Sequence, residues 1–381
     1  MRILCVTQEF PPLSGGISVF LHNLCTQLCY QGCNVDVLTP VREGCTESDD
    51  AQPYRVYRYK ELRFLSSVIP FYYTLSKYFK KNYDIVFIGH FMTTTALGAL
   101  FLKKLRGIPY VILSHGNDLH YSISNRIDKP VANQIIQNAP LMLGNSHVTA
   151  ERIRQKGYKG SVKILHPGVN INKFRPNIEN TDIHRRYNLN GKKVILTVSR
   201  LVARKGHDRV LYALSKVVKK IPNIIYLIVG TGEEESRLRN LVNELTLEQH
   251  VVFTGSVRQD ALPALYCACD IFIMPSYVRA GGHDYEGFGI VFNEANACGK
   301  PVIAGRSGGI EDAVVDGVTG LLVNPENTEE ISQAISRLLI DREFAQKLGE
   351  NGRKRTESEL SWEKVGQRLD QYLHNVIENM R

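Results

Sequence analysis

The sequence predicts an α/β protein built from two doubly wound halves, and three observations predict it. Apolar runs of strand length alternate with helical stretches along most of the chain, as parallel units covered on both faces require. The alternation lapses once, around "HPGVNINKFRPNIENTDI" (166–183), and then restarts. A chain of 381 residues has room for two domains that each bury a core of their own.

In the first half, strands are expected at 2–7, 34–39, 84–88, 109–114, 140–144 and 162–166, with helices near 16–31, 67–81, 93–106, 128–138 and 147–157. Segment 166–183 is polar and rich in turn formers, and reads as the linker. "KKVILTVSR" (192–200) reopens the pattern, followed by strands at 224–229, 250–254, 270–274, 301–304 and 320–323 and helices at 328–340 and 342–354. "SWEKVGQRLDQYLHNVIENM" (361–380) is long enough to leave the second half and pack back on the first. The domains are placed accordingly at 1–172 and 181–362, with 363–381 as the returning helix. Ligands of open α/β sheets sit beyond the carboxyl ends of the strands, so two such sheets facing each other predict a site in the cleft between them.

Composition narrows the function. Hydrophobic residues at 43% and charged residues at 22% exclude a disordered chain or a fibre. The longest apolar runs, "DIVFIGH" (84–90) and "NIIYLIVG" (223–230), are far short of the roughly 20 residues a membrane span needs. "MRILCVTQEF" does not resemble a signal peptide, so a cytoplasmic protein is expected. The eight Cys are scattered, and free thiols are expected. Cys25, Cys29 and Cys33 are spaced by four and could line one helix face; a metal site is one reading, and small buried hydrophobes are the favoured one. A formal charge of +9 calls for anionic partners, whether nucleic acid, anionic lipid or a phosphorylated small molecule.

Several motifs fall at strand ends. "TQEFPPLSGGISVF" (7–20) brings Gly15 and Gly16 to a helix start, where main-chain N–H groups attract an anion; a tight turn without a ligand is the alternative. "TVSRLVARKG" (197–206) places Arg200 and Lys205 beyond a strand, two cations suited to a diphosphate, with Arg204 between them expected to point to solvent. In "YEGFGIVFNEA" (285–295), Glu286 lies in the loop over a helix mouth and Glu294 about one turn inside. A carboxylate that grips a vicinal diol is how nucleotide sites hold a ribose, so one glutamate would hold a transferred sugar and the other a ribose. Gly287 and Gly289 would offer N–H groups to the phosphates; the alternative is that Glu294 is a surface or capping residue and Glu286 a loop acid. Asp284 with Glu286 raises a divalent ion, which Arg200 and Lys205 would make redundant. "VILSHGNDLH" (111–120) ends a strand at His115, placed to bond a sugar hydroxyl or share a proton. "GRSGGIEDAV" (305–314) repeats the glycine turn with Gly308 and Gly309, and the turn in "VVFTGSVRQDAL" (251–262) could read a base edge through its backbone.

Together, the Gly-Gly turn, His115, the Arg200/Lys205 pair and Glu286-x7-Glu294 resemble the retaining glycosyltransferases of family 4, which have the GT-B fold. The resemblance spans nearly the whole chain, in order. It implies that Gly15 and Gly16 lie along the donor diphosphate and that Arg200 and Lys205 neutralise it. It further implies that Glu286 holds the donor sugar, Glu294 the ribose, His115 the sugar near the reacting carbon, and Val257 or Arg258 the base through main chain. Gly287, Phe288, Gly289 and Ile290 complete the implied donor contacts, and neither metal nor other cofactor is implied. The segment "RAGGHDYEGFGIVFNEANACGKPVIAGRSGG" is particularly similar to mannosyltransferases that build lipid-linked mannosides, which favours GDP-mannose while leaving UDP-sugars open. A sugar-nucleotide epimerase or hydrolase, or a non-catalytic nucleotide-sugar binder, are the alternatives on the same fold.

Residues 54–83 hold seven Lys or Arg, one acid and ten aromatic residues. That mixture suits the interface of an anionic membrane, and equally a strand and helix with rings turned to the core; nucleic acid is set aside. The expectation is a peripheral enzyme on the cytoplasmic face, acting on a lipid-linked or amphiphilic hydroxyl acceptor.

Overall fold

The computed structural model describes residues 1–380 apart from 14, 61–75, 77–81, 117, 119–128 and 279–284, and of residue 94 the backbone alone. Two compact units result, Met1–Pro167 with Trp362–Arg381, and Gly168–Ser361.

The first unit is a seven-stranded parallel sheet. Its strands are β1 (Arg2–Val6), β2 (Asn34–Pro40), β3 (Arg55–Tyr59), β4 (Ile85–Ile88), β5 (Tyr110–Ser114), β6 (Leu141–Gly144) and β7 (Ser161–Ile164), in the order β3-β2-β1-β4-β5-β6-β7. Around it run α1 (Gly16–Tyr30), α2 (Cys45–Asp50), α3 (Thr93–Arg106), α4 (Lys129–Asn138) and α5 (His147–Gln155). β4 and β5 are buried along their whole length, which is why they read as unbroken apolar runs. β3 falls within 54–83, where a strand was one of two readings, its two arginines obscuring the pattern. Its Arg58 is neutralised at the sheet edge, donating to Asp49 Oδ2 (2.9 Å) and to the Pro40 carbonyl (2.9 Å). The helix expected at 67–81 lies outside the described residues but for Ser76.

The second unit is a six-stranded parallel sheet of β8 (Lys193–Val198), β9 (Ile224–Val229), β10 (Val251–Gly255), β11 (Ile271–Met274), β12 (Val302–Gly305) and β13 (Gly320–Val323). The order is β10-β9-β8-β11-β12-β13. The helices are α6 (Thr181–Arg186), α7 (His207–Val217), α8 (Glu235–Glu244), α9 (Leu262–Ala268), α10 (Ile290–Ala297), α11 (Ile310–Ala313), α12 (Thr328–Ile340) and α13 (Arg342–Ser358). Strand periodicity divides two cores: Val194 and Leu196 join Phe272 and Phe292 on one face, and Ile195 joins Ile228 and Leu338 on the other. Each sheet reverses its strand order once, at β1/β4 and at β8/β11, where loops diverge and leave room for a ligand.

The last helix, α14 (Trp362–Glu378), belongs to the first unit and packs on α1, as its length predicted. Phe20 and Trp362 ring centroids are 5.7 Å apart. Gly366 touches α1 so closely that a Cβ would collide with the Gln27 side chain. A Gly366→Val variant is therefore expected to lose about 1–3 kcal/mol of stability by overpacking. Trp362, the chain's single Trp, makes its fluorescence the readout, and an unchanged urea midpoint would contradict the packing described.

Candidate active site

The reversal point of the second sheet assembles the charged group. Beyond β8 the chain makes a 3₁₀ turn, Ala203–Lys205, closed by Gly206 at φ 74°. A Cβ at Gly206 would strike the Pro275 carbonyl, so only glycine lets this turn press against the segment leaving β11. The Tyr277 N–H adds a second tie, donating to the Arg204 carbonyl at 3.0 Å. Arg204 and Lys205 are thereby delivered to Glu286. Arg204 Nη1 lies 2.8 Å from Glu286 Oε2, and Lys205 Nζ donates to the same oxygen. The three side chains are only 14%, 11% and 15% exposed. Arg204, expected in solvent, is instead a full member of the cluster, because the Gly206 contact folds the turn inward. Arg200 is exposed and, among the described residues, its guanidinium has no hydrogen bond or ion pair.

Burial alone would raise the Glu286 carboxyl, but the Lys205 ammonium and the Arg204 guanidinium outweigh it and hold it at about 2. Burial in turn lowers Lys205, against the pull of Glu286. The cluster is an ionised triad with one excess positive charge and Arg200 nearby in sequence, a combination suited to a diphosphate. The loop carrying Glu286 is fixed from below: its carbonyl accepts from Gly309 N at 2.9 Å, and a Cβ on Gly308 (φ 60°) would come within 2.7 Å of that carbonyl. Gly308 and Gly309 therefore support the loop. Gly289 caps α10 at φ 88°, with the Phe292 ring 2.7 Å from where a Cβ would sit. Phe288 is 2% exposed with its ring in the core, while Gly287 and Ile290 are half-buried.

Glu294 stands apart from that triad. Its Oε2 accepts from the Tyr266 hydroxyl of α9 at 2.7 Å. Burial pushes its carboxyl up to about 7, against the hydrogen bond from Tyr266 and the charge of Lys173. Val257 packs partly against the core, and Arg258 is turned out to Asp260, 2.5 Å away. Asp284 lies outside the described residues.

Gly15, Gly16 and His115 belong to the first unit. Gly15 caps α1 and Gly16 begins it, and a Cβ on either meets nothing within 4 Å. The turn after β5 is held by Asp118, whose Oδ1 accepts from Ser114 Oγ (2.8 Å) and His115 N (3.1 Å). His115 Nε2 lies 2.9 Å from the Gly89 carbonyl beyond β4; a carbonyl only accepts, so Nε2 carries the proton and Nδ1 is left as acceptor. Burial lowers its imidazole to about 4 although Asp118 pulls the other way, so the ring is uncharged at neutral pH. The thiols are free, and Cys33 donates to Asp370 of α14 at 3.2 Å.

Beneath the cation turn runs a buried chain that sequence reasoning missed. Thr197 Oγ1 donates to the Ile273 carbonyl, so its 2.9 Å contact with the Tyr226 hydroxyl must be donated by Tyr226. Tyr226 then accepts from His207 Nδ1 (3.1 Å), and His207 Nε2 lies 3.0 Å from Ser199 Oγ, whose single proton is also offered to the Arg200 carbonyl at 3.1 Å. Three hydrogen bonds run in one direction from His207 to β11, and Ser199 at the end of β8 adjoins them. Burial lowers His207 to about 4, consistent with the neutral tautomer that the chain requires. A histidine following a glycine turn is the one sequence signal, and it does not reveal partners on three other elements.

Comparison with known proteins gives a consistent picture. The model for Glycosyltransferase Family 4 matches residues 14–173, and that for Glycosyl transferases group 1 matches residues 179–355. A GDP-mannose-dependent alpha-(1-6)-phosphatidylinositol monomannoside mannosyltransferase of Mycobacterium tuberculosis is 32% identical over 98% of both chains. A GDP-mannose-dependent monoacylated alpha-(1-6)-phosphatidylinositol monomannoside mannosyltransferase of Corynebacterium glutamicum is 31% identical, again over 98% of each. Among solved structures, a glycosyltransferase from Rickettsia africae superposes with a TM-score of 0.84 at 22% identity, covering 99% of each chain. HepE of Anabaena in complex with UDP gives 0.83 at 22% identity over 98% of this chain and 100% of that one, which speaks to the GT-B fold.

Two outcomes test this geometry. Replacing His207 with Phe removes the donor to the buried Tyr226 hydroxyl and is expected to cost about 1–3 kcal/mol in urea unfolding; no loss would mean that the chain is not continuous. For Glu294 the folded carboxyl titrates at about 7, above its ordinary unfolded value. Between those two values the folded protein keeps a proton that the unfolded chain has lost, so stability falls as pH rises through the window. Glu294→Gln is expected to abolish that slope and to be the more stable protein at pH 8, in urea midpoints compared at pH 5 and 8.

Proposed function

The chain belongs to the family 4 glycosyltransferases, and from that premise we propose that it transfers mannose from GDP-mannose to a hydroxyl of a phosphatidylinositol-type glycolipid, with retention and without a metal. The observation that carries this reading is the shared oxygen of Glu286: a carboxylate kept ionised beside two cations at a strand-order reversal. The donor class and acceptor class are those of the relatives named above.

In this reading Lys205 and Arg200 take the diphosphate, with main-chain N–H groups of Gly15, Gly16 and Gly287–Ile290 along it. Glu286 accepts hydrogen bonds from the mannose hydroxyls, and Glu294 binds the ribose diol. Val257 and Arg258 meet the base through main chain, and His115 offers Nδ1 to a sugar hydroxyl. The acceptor oxygen bonds to the anomeric carbon on the face from which the diphosphate departs. The bond from that carbon to the phosphate oxygen breaks, and that oxygen takes the acceptor proton. Arg200 and Lys205 supply the positive charge that a metal would otherwise bring to the leaving group.

Among the described residues no helix is long and apolar enough to cross a membrane. We place the protein at an anionic bilayer surface through residues 54–83, most of which lie outside the described residues.

The decisive assay follows radiolabelled mannose from GDP-mannose into a phosphatidylinositol monomannoside. A product with a new α-linked mannose by NMR, formed undiminished in EDTA, is expected; inversion, or label released as free mannose whether or not acceptor is present, would refute the reading. Glu286→Ala is expected to lower kcat by about a hundredfold or more while leaving the melting temperature of the protein near wild type. For the membrane, pelleting with phosphatidylinositol-containing vesicles should weaken when Arg55, Lys77, Lys80 and Lys81 become Ser. Arg58 is left intact because it is bonded to Asp49. Unchanged pelleting would rule out docking through this segment.

A further inference from the structure

Glu286 has two cations on one oxygen, and the proposed reaction draws one of them away. Lys205 is the cation assigned to the diphosphate, and on binding it would divide its charge between that group and Glu286. Burial is the largest single influence on the Glu286 carboxyl and acts upward. With Lys205 shared and the negative diphosphate close by, the carboxyl would rise towards its protonated range unless a second cation stayed. Arg204 is built to stay. Its carbonyl is tied to Tyr277 N at 3.0 Å, the turn behind it is pressed onto Pro275 at Gly206, and its guanidinium reaches Glu286 Oε2 at 2.8 Å. A guanidinium also keeps its charge where a buried ammonium loses affinity for its proton.

Among the described residues, the charged groups acting on Glu286 are Lys205 and Arg204, with Arg200 acting on Lys205. From the other side, among the described residues, the turn 307–309 presents the Gly309 N–H and no ionisable side chain, and Tyr277 after β11 bonds the Arg204 carbonyl with its ring beside Arg209.

We propose that Arg204 is a positioning residue of the donor site, keeping Glu286 charged and aimed at the sugar hydroxyls when Lys205 engages the diphosphate. The inference rests on the proposed function for what Glu286 binds, and on geometry alone for what holds Glu286. The two cations thereby have separate roles, since Lys205 is shared with the diphosphate and Arg204 is not.

Arg204→Met and Arg204→Lys test it. GDP carries the diphosphate and no sugar, so its affinity for Arg204→Met is expected within about twofold of wild type, while kcat with GDP-mannose falls about tenfold or more. The acid limb of the kcat/KM profile should move up towards neutral pH in Arg204→Met, because a Glu286 with one cation fewer gains its proton at higher pH, and Arg204→Lys should bring it back at least halfway. An unmoved limb, or an equal loss of GDP affinity, would make Arg204 a phosphate contact and overturn the assignment. A carbon-13 titration of the Glu286 carboxyl in the ligand-free protein needs no donor. A higher value in Arg204→Met than in wild type is expected, and an identical value overturns the inference whatever the protein's substrate. Wild-type protein that binds neither GDP nor GDP-mannose while the carboxyl still shifts would instead count against the proposed function alone.

Discussion

One carboxylate oxygen shared by an ammonium and a guanidinium is the interaction on which this site depends. A carboxylate as enclosed as Glu286 is costly without compensation, and two cations on Oε2 give more than it needs. The surplus is what makes the site useful, because an approaching anion finds positive charge that is not fully spent. Much of the second unit serves to bring these three side chains together. The strand order reverses between β8 and β11, so the segments leaving them diverge, and Gly206 then lets the two approach again. Gly308 and Gly309 hold the Glu286 loop from beneath, and the hydrogen-bond chain from His207 to Ile273 locks the end of β8 to β11.

The two glutamates of the motif are eight residues apart and are driven in opposite directions. Both are raised by burial, but Glu286 faces two cations and ends at about 2, whereas Glu294 has a phenol as its near partner and ends at about 7. The difference suits different roles. A carboxylate that stays charged at all physiological pH is a strong acceptor for sugar hydroxyls, and one near neutrality can accept or donate, which a ribose diol allows. Tyr266 is the residue that makes Glu294 tolerable in the absence of ligand, and its hydroxyl would have to share that oxygen with a nucleotide.

The architecture was readable because periodicity is a local property. β4, β5, β9 and β11 are buried on both faces and appear in the sequence as unbroken apolar runs; β3 does not, since Arg55 and Arg58 interrupt it at a sheet edge where they cost little. The cation and acid motifs were visible for the same reason, as residue types placed at strand ends. What the sequence hid are partnerships across distance. Arg204 looks like a solvated loop residue until Gly206 and Pro275 turn it inward; Tyr266 precedes Glu294 by 28 residues, and the His207 chain draws on β8, β9, β11 and α7. None of these leaves a spacing to be read.

The acid–base properties of the residues assigned to the proposed reaction bear on where the acceptor's proton would go. A general base works best with a pKa near the working pH, and Glu286 at about 2 and His115 at about 4 are both too weakly basic to take a hydroxyl proton efficiently. His115 is limited further because Nε2–H is committed to the Gly89 carbonyl, which leaves Nδ1 fit to accept a hydrogen bond but poorly fit to keep a proton. Glu294 has a matching value but is bonded to Tyr266 and assigned to the ribose. The basic atom that remains is the phosphate oxygen that gains charge as the glycosidic bond breaks. Its basicity grows as the bond lengthens, so it is ready when the acceptor's proton must leave, and that timing supports attack from the face on which it departs. In the proposed reaction the cations at Arg200 and Lys205 would have two opposing duties: to stabilise the departing diphosphate, and not to quench the oxygen so completely that it can no longer take the proton. Drawing part of Lys205's charge onto Glu286 is one way a folded chain can satisfy both.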